Sequence, residues 1–142
     1  MKRLERKIIL ASHGKFASGI LSSLELICGK NEAISALDCY ITENFDLKQT
    51  VDQLMAENAE KELIVITDLF GGSVNNEFLR YIKQPNFYLI TGLNLPFLIE
   101  FSTQFANTDR IVELIIQTLN SSKETIQFCN ESFNEEIEEE EF

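Results

Sequence analysis

Four short apolar runs, each followed by a helix-like repeat, leave this chain few ways to fold. Lys7–Ser12, Ala33–Ile41, Glu62–Asp68 and Phe87–Thr91 read as strands. Their apolar residues run consecutively, as expected for strands covered on both faces. Between them the period changes. Apolar residues at 16, 17, 20, 21, 24, 27 and 28 predict a helix from Phe16 to Cys28, stopped at Gly29. Leu47, Val51, Leu54 and Met55 predict a second, with Asp46 as its cap and Gln49 three residues on. Ser73 is placed to cap a third, through Val74, Phe78, Leu79 and Ile82. Pro96 suits the first turn of a fourth. Asp109 is placed to cap a fifth running to about Asn120, and Thr125–Cys129 reads as a short last strand. Strands alternating with helices imply an α/β fold: one domain with a mostly parallel four-stranded sheet flanked by helices.

Charge divides the chain. Its formal charge is −11, and residues 131–142 carry seven of the 23 acids and no base. Residues 1–130 are therefore expected to form the domain, and 131–142 an acidic, solvated and disordered tail. Such a charge argues against nucleic-acid binding, which works by neutralising phosphates. The apolar run after the basic N-terminus is only four residues long, too short for a signal peptide, so a cytoplasmic location is expected. Three cysteines without CxxC spacing and one histidine argue against zinc, and no cofactor is expected.

In parallel sheets, ligands meet the carboxyl ends of the strands near a topological switch point. His13 follows the first strand, and Asp68 ends the third. Gly71-Gly72-Ser73 joins that strand to its helix, and Thr91-Gly92-Leu93-Asn94 follows the fourth. If strands one and three are neighbours, about 5 Å apart, His13 and Asp68 can touch. A neutral imidazole nitrogen can attack phosphorus without first losing a proton, provided the other nitrogen keeps its proton on a fixed acceptor. Asp68 is a suitable acceptor. A Gly-Gly turn and a serine at a helix start offer donors to a phosphoryl group. Singly, each has an ordinary structural reading: a surface histidine, a turn-capping aspartate, a tight connection. Their coincidence on one sheet edge favours phosphoryl chemistry.

Ile8-Ile9-Leu10-Ala11-Ser12-His13-Gly14, Val65-Ile66-Thr67-Asp68-Leu69-Phe70-Gly71-Gly72-Ser73 and Thr91-Gly92-Leu93-Asn94-Leu95-Pro96 resemble, in order and spacing, the IIA component of the mannose family of the bacterial sugar phosphotransferase system. The likeness covers about residues 6–130. It implies that His13 is a transient phosphohistidine carrying the group on Nε2, that Asp68 holds the ring, and that Gly71, Gly72 and Ser73 receive the phosphoryl group. Many members carry a tryptophan near this turn. This chain has none, and Phe70 is expected to fill the apolar wall of the site. The resemblance further implies a phosphotransferase that takes its group from the phosphocarrier protein HPr and passes it to a IIB component. Contact with the membrane would be indirect, through the sugar transporter subunits. A homodimer would form by exchange of a C-terminal strand, for which Thr125–Cys129 is the candidate.

Two other readings compete. One is a regulatory phosphoacceptor of the dihydroxyacetone-kinase type, although Ser12-His13-Gly14 and the Asp68–Ser73 stretch stand closer to the sugar type. The other is a non-catalytic flavodoxin-like or receiver-like binding module. A receiver needs carboxylates for Mg²⁺ where this chain has His13.

Overall fold

The computed structural model describes residues 3–133. In chain order it contains β1 (Arg6–His13), α1 (Phe16–Cys28), β2 (Ile34–Cys39), α2 (Leu47–Glu57), β3 (Glu62–Thr67), α3 (Ser73–Leu79), β4 (Phe87–Thr91), α4 (Leu95–Ser102) and α5 (Ile111–Lys123). The four strands form one sheet in the order β2-β1-β3-β4, and every pairing is parallel.

The alternation of side chains along a strand divides the core in two. Ile8, Leu10, Ile64, Ile66 and Ile90 pack on one face against Ala17 and Leu24 of α1, Phe97, Leu98 and Phe101 of α4, and Leu114 and Ile115 of α5. Ile9, Ala11, Leu63, Val65 and Phe87 pack on the other against Val51 and Met55 of α2 and Val74 and Phe78 of α3. All six residues of β3 are buried, which explains its unbroken apolar run Leu63-Ile64-Val65-Ile66.

Chain order and sheet order then create the switch point. From β1 the chain leaves through α1 on one face towards β2; from β3 it leaves through α3 on the other face towards β4. The connections part above the carboxyl ends of β1 and β3, where such folds keep their sites.

Several expected boundaries move, each for a physical reason. The second strand stops at Cys39 because Tyr40 adopts φ +64°, which no strand residue takes. The cap of α3 is Gly72, not Ser73; Ser73 is the first helical residue and its hydroxyl is engaged elsewhere. Asp109 does not cap α5: the capping position is Arg110, and Asp109 forms an ion pair with Arg3. Asp46 does cap α2, accepting from the Gln49 N–H at 3.0 Å. Within the single chain, Thr125–Cys129 does not form a strand. Glu124 and Thr125 turn, residues 126–128 are irregular, and a helical turn starts at Cys129. A strand needs a neighbour to take its N–H and C=O groups, and among the described residues none lies beside this segment. Most of the acidic stretch, residues 134–142, lies outside the described residues.

The end of β3 is held by a buried polar knot. The fully buried Thr67 hydroxyl donates to Asn75 Oδ1 on α3 at 2.7 Å and lies 2.8 Å from the Thr91 hydroxyl of β4. The Thr67 carbonyl accepts from the Gly92 and Leu93 N–H groups, both at 3.0 Å. Replacing Thr67 by valine keeps the shape but strands the Asn75 oxygen. Thermal or urea denaturation should show a loss of about 1–3 kcal/mol; an unchanged midpoint would show the knot to be dispensable.

Candidate functional site

The site begins with a parity rule along β1. The Ile8 and Gly14 N–H groups donate towards β2, to Ala33 at 2.8 Å and Cys39 at 2.7 Å. The odd-numbered N–H groups of β1 face β3. The last β1–β3 rung is Ala11 with Thr67, so the His13 N–H points where β3 has already ended. The Asp68 carboxylate takes that place. Its Oδ2 accepts from the His13 N–H at 2.9 Å and lies 2.8 Å from His13 Nδ1. One oxygen thus fixes both backbone and ring. Asp68 Oδ1 is buried and has no partner among the described residues.

An ionised carboxylate at Nδ1 selects the imidazole tautomer with its proton on Nδ1, leaving a lone pair on Nε2. Nε2 lies 3.2 Å from Ser73 Oγ, and the imidazole side chain remains 40% exposed. The imidazole is therefore open to solvent in part.

The turn between Asp68 and α3 brings Ser73 in. Gly71 takes φ +83°, which L side chains rarely adopt. Gly72 serves by its bareness: a Cβ there would lie 2.9 Å from Leu69 Cδ2 and 3.2 Å from His13 Cε1. Gly72 therefore stands against the ring, whereas Gly71 shapes the turn without touching it. The other wall differs from the expected one. Phe70 is 80% exposed and projects outward, while Tyr40 stacks on the imidazole with ring centroids 5.5 Å apart and an interplanar angle of 24°. The Tyr40 hydroxyl lies 2.8 Å from Ser73 Oγ.

Sequence reasoning thus finds His13, Asp68, Gly72 and Ser73 in one place, with Gly71 one step behind, and misses Tyr40. Nothing in the pattern of β2 marks Tyr40, because its role depends on a left-handed backbone turn at a strand end. The Thr91–Asn94 stretch is structural: Thr91 joins the buried knot, and Asn94 caps α4 by accepting from the Phe97 N–H at 2.9 Å. Ser12, fully buried, anchors the other side. Its hydroxyl accepts from the Ala17 N–H at 2.7 Å and donates to the Gly14 carbonyl at 3.1 Å, fastening α1 to the end of β1. Among the described residues no group of three or more His, Cys, Asp or Glu could hold a metal ion, and no helix is long and apolar enough to cross a membrane.

Comparison with known proteins adds to this geometry. The family model EIIA-man, described as the fructose IIA component of the phosphotransferase system (PTS), matches residues 7–118. The mannose-specific EIIAB component of the PTS of Escherichia coli K12 is 24% identical over 123 residues, covering 84% of this chain. The chain spans 38% of the length of that relative. A proposed PTS permease from Klebsiella pneumoniae has a crystal structure that superposes with a TM-score of 0.88 at 47% identity, covering 94% of this chain and 97% of the other. The PTS component EIIA from Streptococcus agalactiae superposes with a TM-score of 0.77 at 30% identity, covering 88% and 98%.

Beneath Tyr40, Cys39 is fully buried. Burial, and then the neighbouring Asp68 and Asp38 carboxylates, push its thiol up to about 11. Only the thiolate attacks disulfide reagents, so Cys39 should be inert at pH 8. Cys28 and Cys129 are exposed. A thiol titration of the native protein should count two groups quickly and the third only in denaturant; three fast thiols would show the core around Cys39 to be open.

Proposed function

Since the chain belongs to the mannose-family IIA components of the phosphotransferase system, we propose that it is a cytoplasmic phosphocarrier of sugar uptake with His13 as its acceptor. The observation that carries this reading is the pairing of Asp68 Oδ2 with His13 Nδ1 at 2.8 Å on a ring whose other nitrogen stays accessible. In this mechanism the Nε2 lone pair attacks the phosphorus presented by phospho-HPr. The P–N bond to Nε2 forms as the donor's bond to phosphorus breaks. The proton on Nδ1 stays where it is. Phosphorylation makes the ring cationic, and Asp68, whose second oxygen has no partner among the described residues, stabilises that charge. Ser73 and the Gly71-Gly72 turn hold the phosphoryl oxygens. Transfer to the IIB component runs the same step in reverse, with IIB as the new nucleophile.

Exposed apolar side chains support a protein donor and acceptor. Leu69 and Phe70 stand in the loop next to Asp68, Tyr40 and Ile41 follow β2, and Phe16 opens α1, all more than two-fifths exposed. A partner that must bring its own phosphorylated residue against His13 gains contact area on such a rim.

Labelling from phospho-HPr tests the reading. His13→Ala should take up no label and keep the fold. Asp68→Asn retains the shape but loses a charge-assisted hydrogen bond worth ~1.5–3 kcal/mol, so transfer should slow about 10- to 100-fold. Undiminished labelling of His13→Ala would exclude His13 as the acceptor.

The reading includes a homodimer. Ile126 and Phe128 stand exposed after α5, apolar material that a second copy can cover. Light scattering should give a dimer for the full chain and for a chain ending at Cys129, and a smaller or aggregating species for one ending at Glu124. A monomeric full chain would overturn this part.

A further inference from the structure

We propose that Tyr40 is a positioning residue that acts through Ser73: its hydroxyl fixes the Ser73 hydroxyl as a donor, first to His13 Nε2 and then to the phosphoryl group that replaces that contact. The inference rests on His13 as the phosphoryl acceptor, as proposed above. It starts from a chain of three atoms. Tyr40 Oη lies 2.8 Å from Ser73 Oγ, and Ser73 Oγ lies 3.2 Å from His13 Nε2. The direction of that chain follows from the other side of the ring. Asp68 Oδ2 accepts the proton on Nδ1, so Nε2 carries a lone pair and can only accept. Ser73 therefore donates to Nε2. Its single proton is then spent, so between Ser73 and Tyr40 the tyrosine donates. The polarity runs from Tyr40 to Ser73 to Nε2 without a free choice.

This arrangement has two consequences for transfer. In the resting protein, the Ser73 proton covers the lone pair that must attack, and Tyr40 keeps that proton aligned with the direction in which phosphorus arrives. When the P–N bond forms, Nε2 ceases to accept. Ser73 Oγ still accepts the hydrogen bond that the Tyr40 hydroxyl donates, so its own hydrogen stays pointed at the site and meets a phosphoryl oxygen. Without Tyr40 the hydroxyl is free to rotate or to accept from water. The phenol ring also stacks on the imidazole, which limits ring rotation about the axis that Asp68 fixes.

The backbone gives Tyr40 this position at a cost. A non-glycine residue at φ +64° is uncommon, and glycine or asparagine would take the turn more readily. The tyrosine is more than two-fifths exposed, so burial does not account for it, and its ring also meets Phe45 at 5.1 Å in an edge-on contact. A strained residue, half in solvent, with its ring on the nucleophile and its hydroxyl on the donor beside it, is placed for that donor.

A double-mutant cycle tests this on the full chain. Tyr40→Phe keeps ring, stack and fold and removes only the hydroxyl. Label transfer from phospho-HPr should slow about three- to tenfold with an unchanged melting temperature. Ser73→Ala should slow transfer at least as much, and the double variant should be no slower than Ser73→Ala alone. The ¹⁵N chemical shift of His13 Nε2 in the unphosphorylated protein should move in Tyr40→Phe, since the Ser73 donor loses its alignment. Tyr40→Phe at the wild-type rate, or losses that multiply in the double variant, would overturn the proposal while leaving His13 as the acceptor. Wild-type protein that takes no label at His13 would overturn both.

Discussion

The pairing of β1 with β3 at the centre of the sheet organises everything above it. Six rungs run from Arg6–Glu62 to Ala11–Thr67, and both strands are covered on both faces. A one-residue slip of either strand would exchange its two core faces, so the register is strongly specified. Fixed register fixes direction. Counting by twos along β1, the His13 side chain leaves on the same face as Ile9 and Ala11, the face that carries α2 and α3. That is why the imidazole meets Ser73, the first residue of α3, and not α1, although α1 follows it in the chain. The same count sends the His13 N–H towards the vacant end of β3, where Asp68 takes it. The contact of greatest chemical interest is thus also the cap of an unfinished ladder.

Most of this was legible because it follows from strand periods and strand ends. Consecutive apolar residues such as Leu63-Ile64-Val65-Ile66 report a strand covered twice, and a histidine and an aspartate just beyond two such strands report an edge. What stayed hidden belongs to longer-range geometry. Tyr40 looks like one more residue of an apolar run until its positive φ is known. Ser73 looks like a helix cap, since serine before a helical period usually is one. Gly72 takes that position instead, which frees the Ser73 hydroxyl for His13 and Tyr40. Asp109 misleads in the same way, because Arg3, over one hundred residues away, claims its carboxylate. Thr125–Cys129 has the composition of a strand, but its own chain offers it no neighbour, and only a second copy would supply one.

The proposed phosphocarrier role sets two conflicting needs: a ring rigid enough to be aligned and open enough to meet partner proteins. Here rigidity comes from below and access from above. Thr67, Asn75 and Thr91 lock β3, β4 and α3 beneath the site, and Ser12 locks α1; Thr67, Asn75 and Ser12 are buried and Thr91 is partly so. Buried polar knots of this kind are costly to break, so the strand ends hardly move. Above them the chain is bare: Leu69 and Phe70 face solvent, and the imidazole side chain is 40% exposed.

Tyr40 stands at the boundary between those two regimes, and its energetics show how. Its left-handed backbone costs roughly 1–2 kcal/mol. The residue before it, Cys39, is fully buried in the α2/α3 core and holds the Gly14 N–H through its carbonyl. The residue after next leads through an exposed loop to Phe45, which packs on the phenol ring. Burial on one side and an aromatic contact on the other offset the strain. The placement of a half-exposed side chain against the imidazole is therefore tied to a neighbour buried in the α2/α3 core.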